Sequence, residues 1–321
     1  GHIGNQFLEI GPESGDRFAP EPVRLGGRDY SVQRYRPRVE GLFALIERWT
    51  SRDPPREPFW RVLDRSNVTQ WFGRTPASRI ADPADSTRIF QWLPCESHDD
   101  KGNAITYDYV ADNAEAIDTG ALWEINRSAA QRSAQHYLKR VRYGNRTPYL
   151  PSLHPDAPTE PMPAEWLFEL VFDYGDHPAA DPTPLPDRTW PSRTDAFSNH
   201  RPGFEVRTAR RCERVLMFHN MAEPAEAAPV GLVRSMRFRY NIDIGAELED
   251  PLHPGYLTLV GVEPWSHQRR ADGTLESRPL PPLEFTYSPS HVDTEVRTLA
   301  AADLHGLPVG TQGPGVQWGD L

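Results

Sequence analysis

Few residues in this 321-residue chain have the types and spacing to do chemistry. Glu247 and Glu249 form a Glu-x-Glu pair, as an ADP-ribosyl-transferring site would need. They lie in an acidic turn beside Asp250 and Pro251, however, and Ser86-Thr87-Arg88 is a poor stand-in for the Ser-Thr-Ser strand such a site requires. His98 beside Asp99 and Asp100 is the nearest approach to a metal cluster, yet no second ligand set stands at helical or hairpin spacing, and the same residues make a good turn. His136, His154, His177 and His219 are scattered, and packing or surface placement is the reading for each. Cys95 and Cys212 have no His at a recognisable spacing, and there is no Gly-x-Ser-x-Gly elbow. Gly310, Gly313 and Gly315 are followed by no Lys-Ser/Thr and no helical pattern, so they read as a loop. The chain is therefore expected to carry no catalytic, cofactor-binding or metal-binding residues.

Two further groups bear on binding. Arg34, Arg36 and Arg38 alternate along one strand face, and Arg207, Arg210 and Arg211 cluster before Cys212; an ordinary solvated face is the expectation. Trp49, Trp60, Trp71 and Trp92 have the chemistry to stack on sugars, but core anchoring is preferred. With 35 basic against 45 acidic residues, the net charge of −10 argues against a nucleic-acid partner. No stretch approaches the roughly 18 apolar residues of a membrane span, and the N-terminus shows no signal-peptide pattern. Two cysteines are too few for a disulfide-stapled secreted scaffold, so unpaired thiols and synthesis in a reducing cytoplasm are expected.

The elements that would position these residues are strands. The 33 prolines exclude long helices almost everywhere outside the proline-free window 95–147. Within it, 114–135 is rich in Ala, Glu, Gln and Arg, with Ile117, Ala121, Leu122 and Ile125 near helical spacing, which predicts one helix. Short aromatic and β-branched runs bounded by turn residues predict strands at 59–62, 69–72, 89–93, 105–110, 137–143, 167–174, 205–218, 232–240, 256–262 and 283–287. Several share an ending (TYDY, VRYG, FDYG, FRYN, FTYS) in which Tyr precedes a turn. Segments 149–163 and 178–202 read as proline-stiffened loops inside one domain. The expected fold is all-β: antiparallel hairpins forming a curved sheet strip, with one helix and a modest core.

Seven segments carry a family resemblance: VQRYRPRVEGLFALIERW (32–49), NVTQWFGRTPASRIADPADSTRIFQWL (67–93), ESHDDKGNAITYDY (96–109), HYLKRVRYGNRTPY (136–149), LFELVFDYG (167–175), RPGFEVRTARRCERVLMFH (201–219) and PLPPLEFTYS (279–288). They resemble the SpvB family (Salmonella virulence plasmid B) and, within it, the TcB component of insecticidal toxin complexes. VQWGDL (316–321) is similar to the opening of that family's next region, so 1–315 is expected to be the shell region and 316–321 the start of a propeller or repeat region, both truncated. The resemblance implies a segment of a hollow β-sheet cocoon that TcB and TcC build around a toxic polypeptide. A propeller outside this segment would dock the cocoon onto a pore-forming TcA-like partner. It implies no enzyme activity, and a bacterial protein that reaches the exterior in a secreted complex. The alternative is a β module that binds a glycan or receptor through exposed tryptophans, and burial of Trp71 and Trp92 discriminates the two.

Overall fold

The computed structural model describes residues 7–9, residues 21–288 except 38, 40, 42, 155–156, 158, 222–230 and 245–256, and residues 295 and 298. The chain runs through β1 (Phe7–Glu9), β2 (Glu21–Leu25), β3 (Arg28–Pro37), β4 (Leu45–Ser51), β5 (Pro58–Leu63) and β6 (Thr69–Phe72). A side hairpin of β7 (Arg79–Asp82) and β8 (Asp85–Trp92) precedes β9 (Pro94–His98) and β10 (Ala104–Ala111). After α1 (Ala129–Arg132) come β11 (His136–Asn145), β12 (Trp166–Asp173) and the short pair β13 (Phe197–Asn199) and β14 (Val206–Thr208). The last are β15 (Arg214–His219), β16 (Gly231–Tyr240), β17 (Leu259–Arg269), β18 (Leu275–Pro279) and β19 (Leu283–Glu284).

Among the described residues, fifteen strands form one sheet in the order β1-β3-β4-β5-β6-β9-β10-β11-β12-β15-β16-β17-β18, with β2 also on β3 and β19 also on β17. The β7–β8 and β13–β14 pairs stand outside it. Spatial order follows chain order, so the sheet is an antiparallel strip of successive hairpins with two small excursions. No helix among the described residues is long and apolar enough to cross a membrane, which says nothing about crossing by strands.

Turn chemistry explains the hairpins. Asp64 accepts the Ser66 and Val68 amides on Oδ1 at 2.8 and 3.0 Å, and Asn67 takes φ +59°, which closes β5 onto β6. Asp99 does the same between β9 and β10, accepting the Lys101 and Asn103 amides at 3.0 and 2.9 Å. Gly102 has φ +87°, and a Cβ there would lie 2.8 Å from Pro148 Cβ, so only glycine lets the loop after β11 pass this close.

The recurrent tyrosine ending has a physical use in three cases. Tyr174 donates to Leu138 O at 3.0 Å, Tyr240 to Cys212 O at 2.9 Å and Tyr287 to Leu259 O at 2.6 Å. Each hydroxyl caps a carbonyl contributed by another segment of the chain.

The helix expected over 114–135 is confined to Ala129–Arg132, capped by Ser128 accepting the Gln131 amide at 3.2 Å. Upstream, Asn113 and Asp118 accept the Glu115 and Gly120 amides, local bonds that replace a helical ladder with turns. The strand expected over 205–218 breaks into β14 and β15, and 283–287 shortens to β19. The run at 89–93 belongs to the side hairpin rather than the main sheet, and of 256–262 the described part continues as β17.

Burial divides into small clusters, as a one-sheet body requires. Val32, Trp49, Phe59 and Trp71 form one; Val171, Leu216, Phe218 and Leu232 another. Tyr137, Tyr174 and Trp190 form a third, and Ala104, Tyr149 and Trp166 a fourth. Leu216 is fully buried. Leu216→Ala is expected to cost about 3 kcal/mol, read as a lower urea midpoint with unchanged slope.

Candidate functional site

Hairpin registers align one transverse row of side chains across ten strands. It runs Arg34, Glu47, Arg61, Trp71, Glu96, Thr106, Arg142, Glu169, Phe218 and Leu232, each directly opposite the next. All therefore share one face. Glu47 is buried and receives Arg61 Nη1 at 3.0 Å and the Trp49 indole at 3.1 Å. Glu96 receives Arg74 Nη1 at 3.0 Å and the Tyr149 hydroxyl at 3.1 Å, with His98 Nδ1 at 3.2 Å. Glu169 pairs with Arg140 at 2.7 Å, but burial outweighs the nearby arginines and raises its carboxyl pKa.

Over part of this row lies a cleft of about 1020 Å³, walled by the sheet and by residues 149–153 and 159–162. Arg61, Trp71, Arg74, Glu96, His98 and Tyr149 line it. Trp71 is 2% exposed, and the Arg74 guanidinium stands 4.8 Å from its ring centroid, so this indole offers no stacking face. Burial, then Glu96, pushes the Tyr149 phenol up. Each of these acids is already matched to a guanidinium. The cleft is a polar wall in which these acids and guanidiniums neutralise one another.

Buried charges also pin the excursions to the sheet. Arg210 has no solvent exposure in its side chain and spends its whole donor fork. Nε bonds Asp112 Oδ1 at 2.8 Å; Nη1 bonds the Glu115 and Trp190 carbonyls at 2.8 and 3.0 Å; Nη2 bonds Asn113 O and Oδ1 at 2.9 and 3.0 Å. Asp112 also accepts the Tyr137 hydroxyl at 2.8 Å, and that oxygen accepts the Ala209 and Arg210 amides. Nearby, Lys139 donates to Asp176 Oδ1 at 2.7 Å and lies 3.1 Å from His177 Nε2, while His177 Nδ1 sits 3.0 Å from Thr183 O. A neutral imidazole donating to Thr183 and accepting from Lys139 satisfies both contacts. Burial, then Lys139, pushes the His177 pKa below its ordinary value, against smaller opposing effects of Asp176 and Asp173.

One cluster outside the cleft has the outline of a nucleophilic relay. His267 Nε2 is 2.8 Å from Ser235 Oγ and its Nδ1 is 2.7 Å from Ser277 Oγ, joining β16, β17 and β18. Burial and Arg214 lower the His267 pKa. The second nitrogen meets a hydroxyl where a triad has a carboxylate, so this is a cross-strand ladder. Residues spaced by 32 and 10 positions meet only through strand register, and no sequence motif marks them.

The family described as Salmonella virulence plasmid 65kDa B protein (SpvB) matches residues 9–221. This chain belongs to the SpvB family. The mono(ADP-ribosyl)transferase SpvB of Salmonella typhimurium is 36% identical over 215 residues, covering 64% of this chain and 35% of the relative. The solved N-terminal domain of that effector aligns over 73% of each chain at 34% identity and TM-score 0.62. Two toxin-complex structures align over 88% of this chain and 12% of theirs at 30% identity. They are TcdB2-TccC3-Cdc42, at TM-score 0.69, and the Photorhabdus luminescens Tc holotoxin pore, at 0.68. The chain thus spans about a third of the curated relative and an eighth of the toxin-complex chains. The match lies in the effector's N-terminal domain, and the transferase activity in the relative's name belongs to that whole protein.

Within this SpvB-family strip, the residues singled out from sequence go separate ways. His98 faces the cleft, Asp99 closes its turn and Asp100 accepts the Asn67 side-chain amide at 3.1 Å. Thr87 bonds Asp85, and Arg88 bonds Asp82 at 2.6 Å inside the side hairpin. Cys95 and Cys212 are free and half-buried in different clusters; burial raises both thiols, Cys212 to about 12. Trp49, Trp60 and Trp71 are core, and Trp92 donates to Pro58 O at 2.7 Å. The solvated-face reading holds for Arg34 and Arg36, which are exposed on β3, and is corrected for two of the later arginines. Arg207 and Arg210 are buried against Glu124 and Asp112, because distant acids reach them only in the folded chain. Arg34 joins the transverse row. Arg38, Glu247, Glu249, Gly310, Gly313, Gly315 and residues 316–321 lie outside the described residues.

Two outcomes follow from the pinning charges. Arg210→Met leaves Asp112 buried without its cation and is expected to cost about 3–5 kcal/mol in urea unfolding; Arg210→Lys recovers only part, because an ammonium cannot replace a five-donor fork. His177 stays neutral in the folded state below the pH where an exposed imidazole, near 6.5, takes up its proton. The unfolded chain then binds more protons, so unfolding free energy falls as pH drops through and below about 6.5. His177→Gln is expected to flatten that slope in pH-dependent melts.

Proposed function

We propose that this chain is a structural shell segment of a TcB-like toxin-complex protein, helping to enclose and deliver a toxic polypeptide, and that it performs no catalysis itself. The observation that carries this reading is the alignment of 88% of the chain with toxin-complex structures that contain a TccC3 component. The physical logic agrees. A strip whose strands pair in chain order grows by adding hairpins at either edge, which suits a wall. Short clusters, buried ion pairs and proline-rich straps stiffen such a wall without a second sheet.

Its neighbours in this reading are the remaining TcB regions along the strip edges and a TcC-like protein carrying the cargo. A TcA-like pore partner is reached through the propeller, whose first residues would be 316–321, after a shell region spanning 1–315. The glycan- or receptor-binding alternative is disfavoured by the burial of Trp71 and by the anchoring of Trp92 to Pro58.

The test uses the full parent protein co-produced with its TcC-like partner. The cargo polypeptide is expected to resist added protease when the strip is intact. It should become cleavable when Val171→Pro breaks the central strand β12. Equal protection in both forms sinks the shell reading, as does transfer of label from NAD to actin by the purified chain.

A further inference from the structure

The turn at 121–127 turns large apolar side chains to solvent. Leu122 is 82% exposed, Trp123 72% and Ile125 53%. The residue among them, Glu124, points inward and is buried. Its carboxylate meets Arg207 at 2.6 Å, Arg127 at 3.3 Å and Arg132 at 3.5 Å. The same arginines hold the backbone. Arg132 donates to the Glu124 and Arg127 carbonyls at 2.8 Å each, and Arg127 donates to the Trp123 carbonyl. Arg127 Nε also grips both Glu205 oxygens at 2.9 Å. The Glu124 and Ile125 amides close on Ala121 O at 2.8 and 3.0 Å.

We propose that this clamped knuckle is a lipid-contacting anchor whose ligand is a zwitterionic membrane surface. Its size is the first argument. Three side chains, of which a Trp buries roughly 150–250 Å², fall well short of the about 800 Å² per partner of a stable protein interface. Shallow insertion into a membrane interface requires no such area. The second argument is that part of the turn's backbone is already satisfied from within the protein. The Ala121, Trp123, Glu124 and Arg127 carbonyls are already bonded, and bare ones are costly in lipid. A Trp beside aliphatic residues is also the composition that settles at a headgroup boundary.

Charge selects the lipid. The exposed ionisable residues on the same excursion are Glu115 and Asp118, while the arginines are turned inward. The chain as a whole carries −10. Phosphatidylcholine therefore suits the knuckle better than an anionic lipid. This inference stands apart from the shell reading, since it concerns a side excursion rather than the strip.

Flotation with extruded phosphatidylcholine vesicles tests it. The purified chain is expected to float with them, and a Leu122→Ser/Trp123→Ala double variant to lose at least about tenfold in binding, with an unchanged melt because both residues are exposed. Trp123→Phe should retain most of the binding. Its difference fluorescence against the unsubstituted chain should show a blue shift and quenching by brominated lipid. Asp118→Lys should raise binding to vesicles containing phosphatidylserine. No flotation, flotation only with phosphatidylserine, or equal flotation of the double variant overturns the proposal.

Discussion

Register is the constraint on which this molecule depends. Antiparallel pairing places Arg34, Glu47, Arg61, Trp71, Glu96, Thr106, Arg142 and Glu169 in one line across the strip. A slip of one residue in any hairpin would flip a strand's side chains to the opposite face. Buried acids would then lose their guanidinium partners. Registers are held locally, by the Asp64 and Asp99 turns, and no second sheet is needed to enforce them.

A sheet of this width cannot gather one large core, so apolar burial among the described residues is dispersed into four clusters and polar groups take over the remaining work. Arg210 illustrates the division. It contributes little apolar packing, yet it ties the turn after β10, the strap at Trp190 and the phenol of Tyr137 into one bonded unit. Lys139, Asp176 and His177 do the same for the start of the 178–202 excursion. Loops in this SpvB-family chain are thus built parts of the strip, fixed by charges that would be prohibitive if any partner were missing.

The same economy separates the polar cleft from the apolar knuckle. In the cleft, acids and arginines neutralise one another beside Trp71, leaving a surface that is polar yet chemically quiet. At 121–127 three arginines converge beneath the turn, and the apolar residues face outward. Buried charge in one place closes a surface, and in the other it presents one.

Much of the architecture was legible in the residues themselves. Proline placement excluded helices, and the alternating runs at 59–62, 69–72, 105–110 and 137–143 marked strands whose faces period-two geometry dictates. Turn chemistry at Asp99 to Gly102 and the tyrosine endings were visible as local patterns. The helical reading of 114–135 went astray because spacing alone does not reveal that Glu124 is drawn inward by Arg127, Arg132 and Arg207. Tertiary structure decided that, along with the Arg210–Asp112 pair, separated by 98 positions, and the Ser235–His267–Ser277 ladder. Local propensity depends on a residue and its near neighbours, whereas the partner of a buried charge depends on which distant strands share a register.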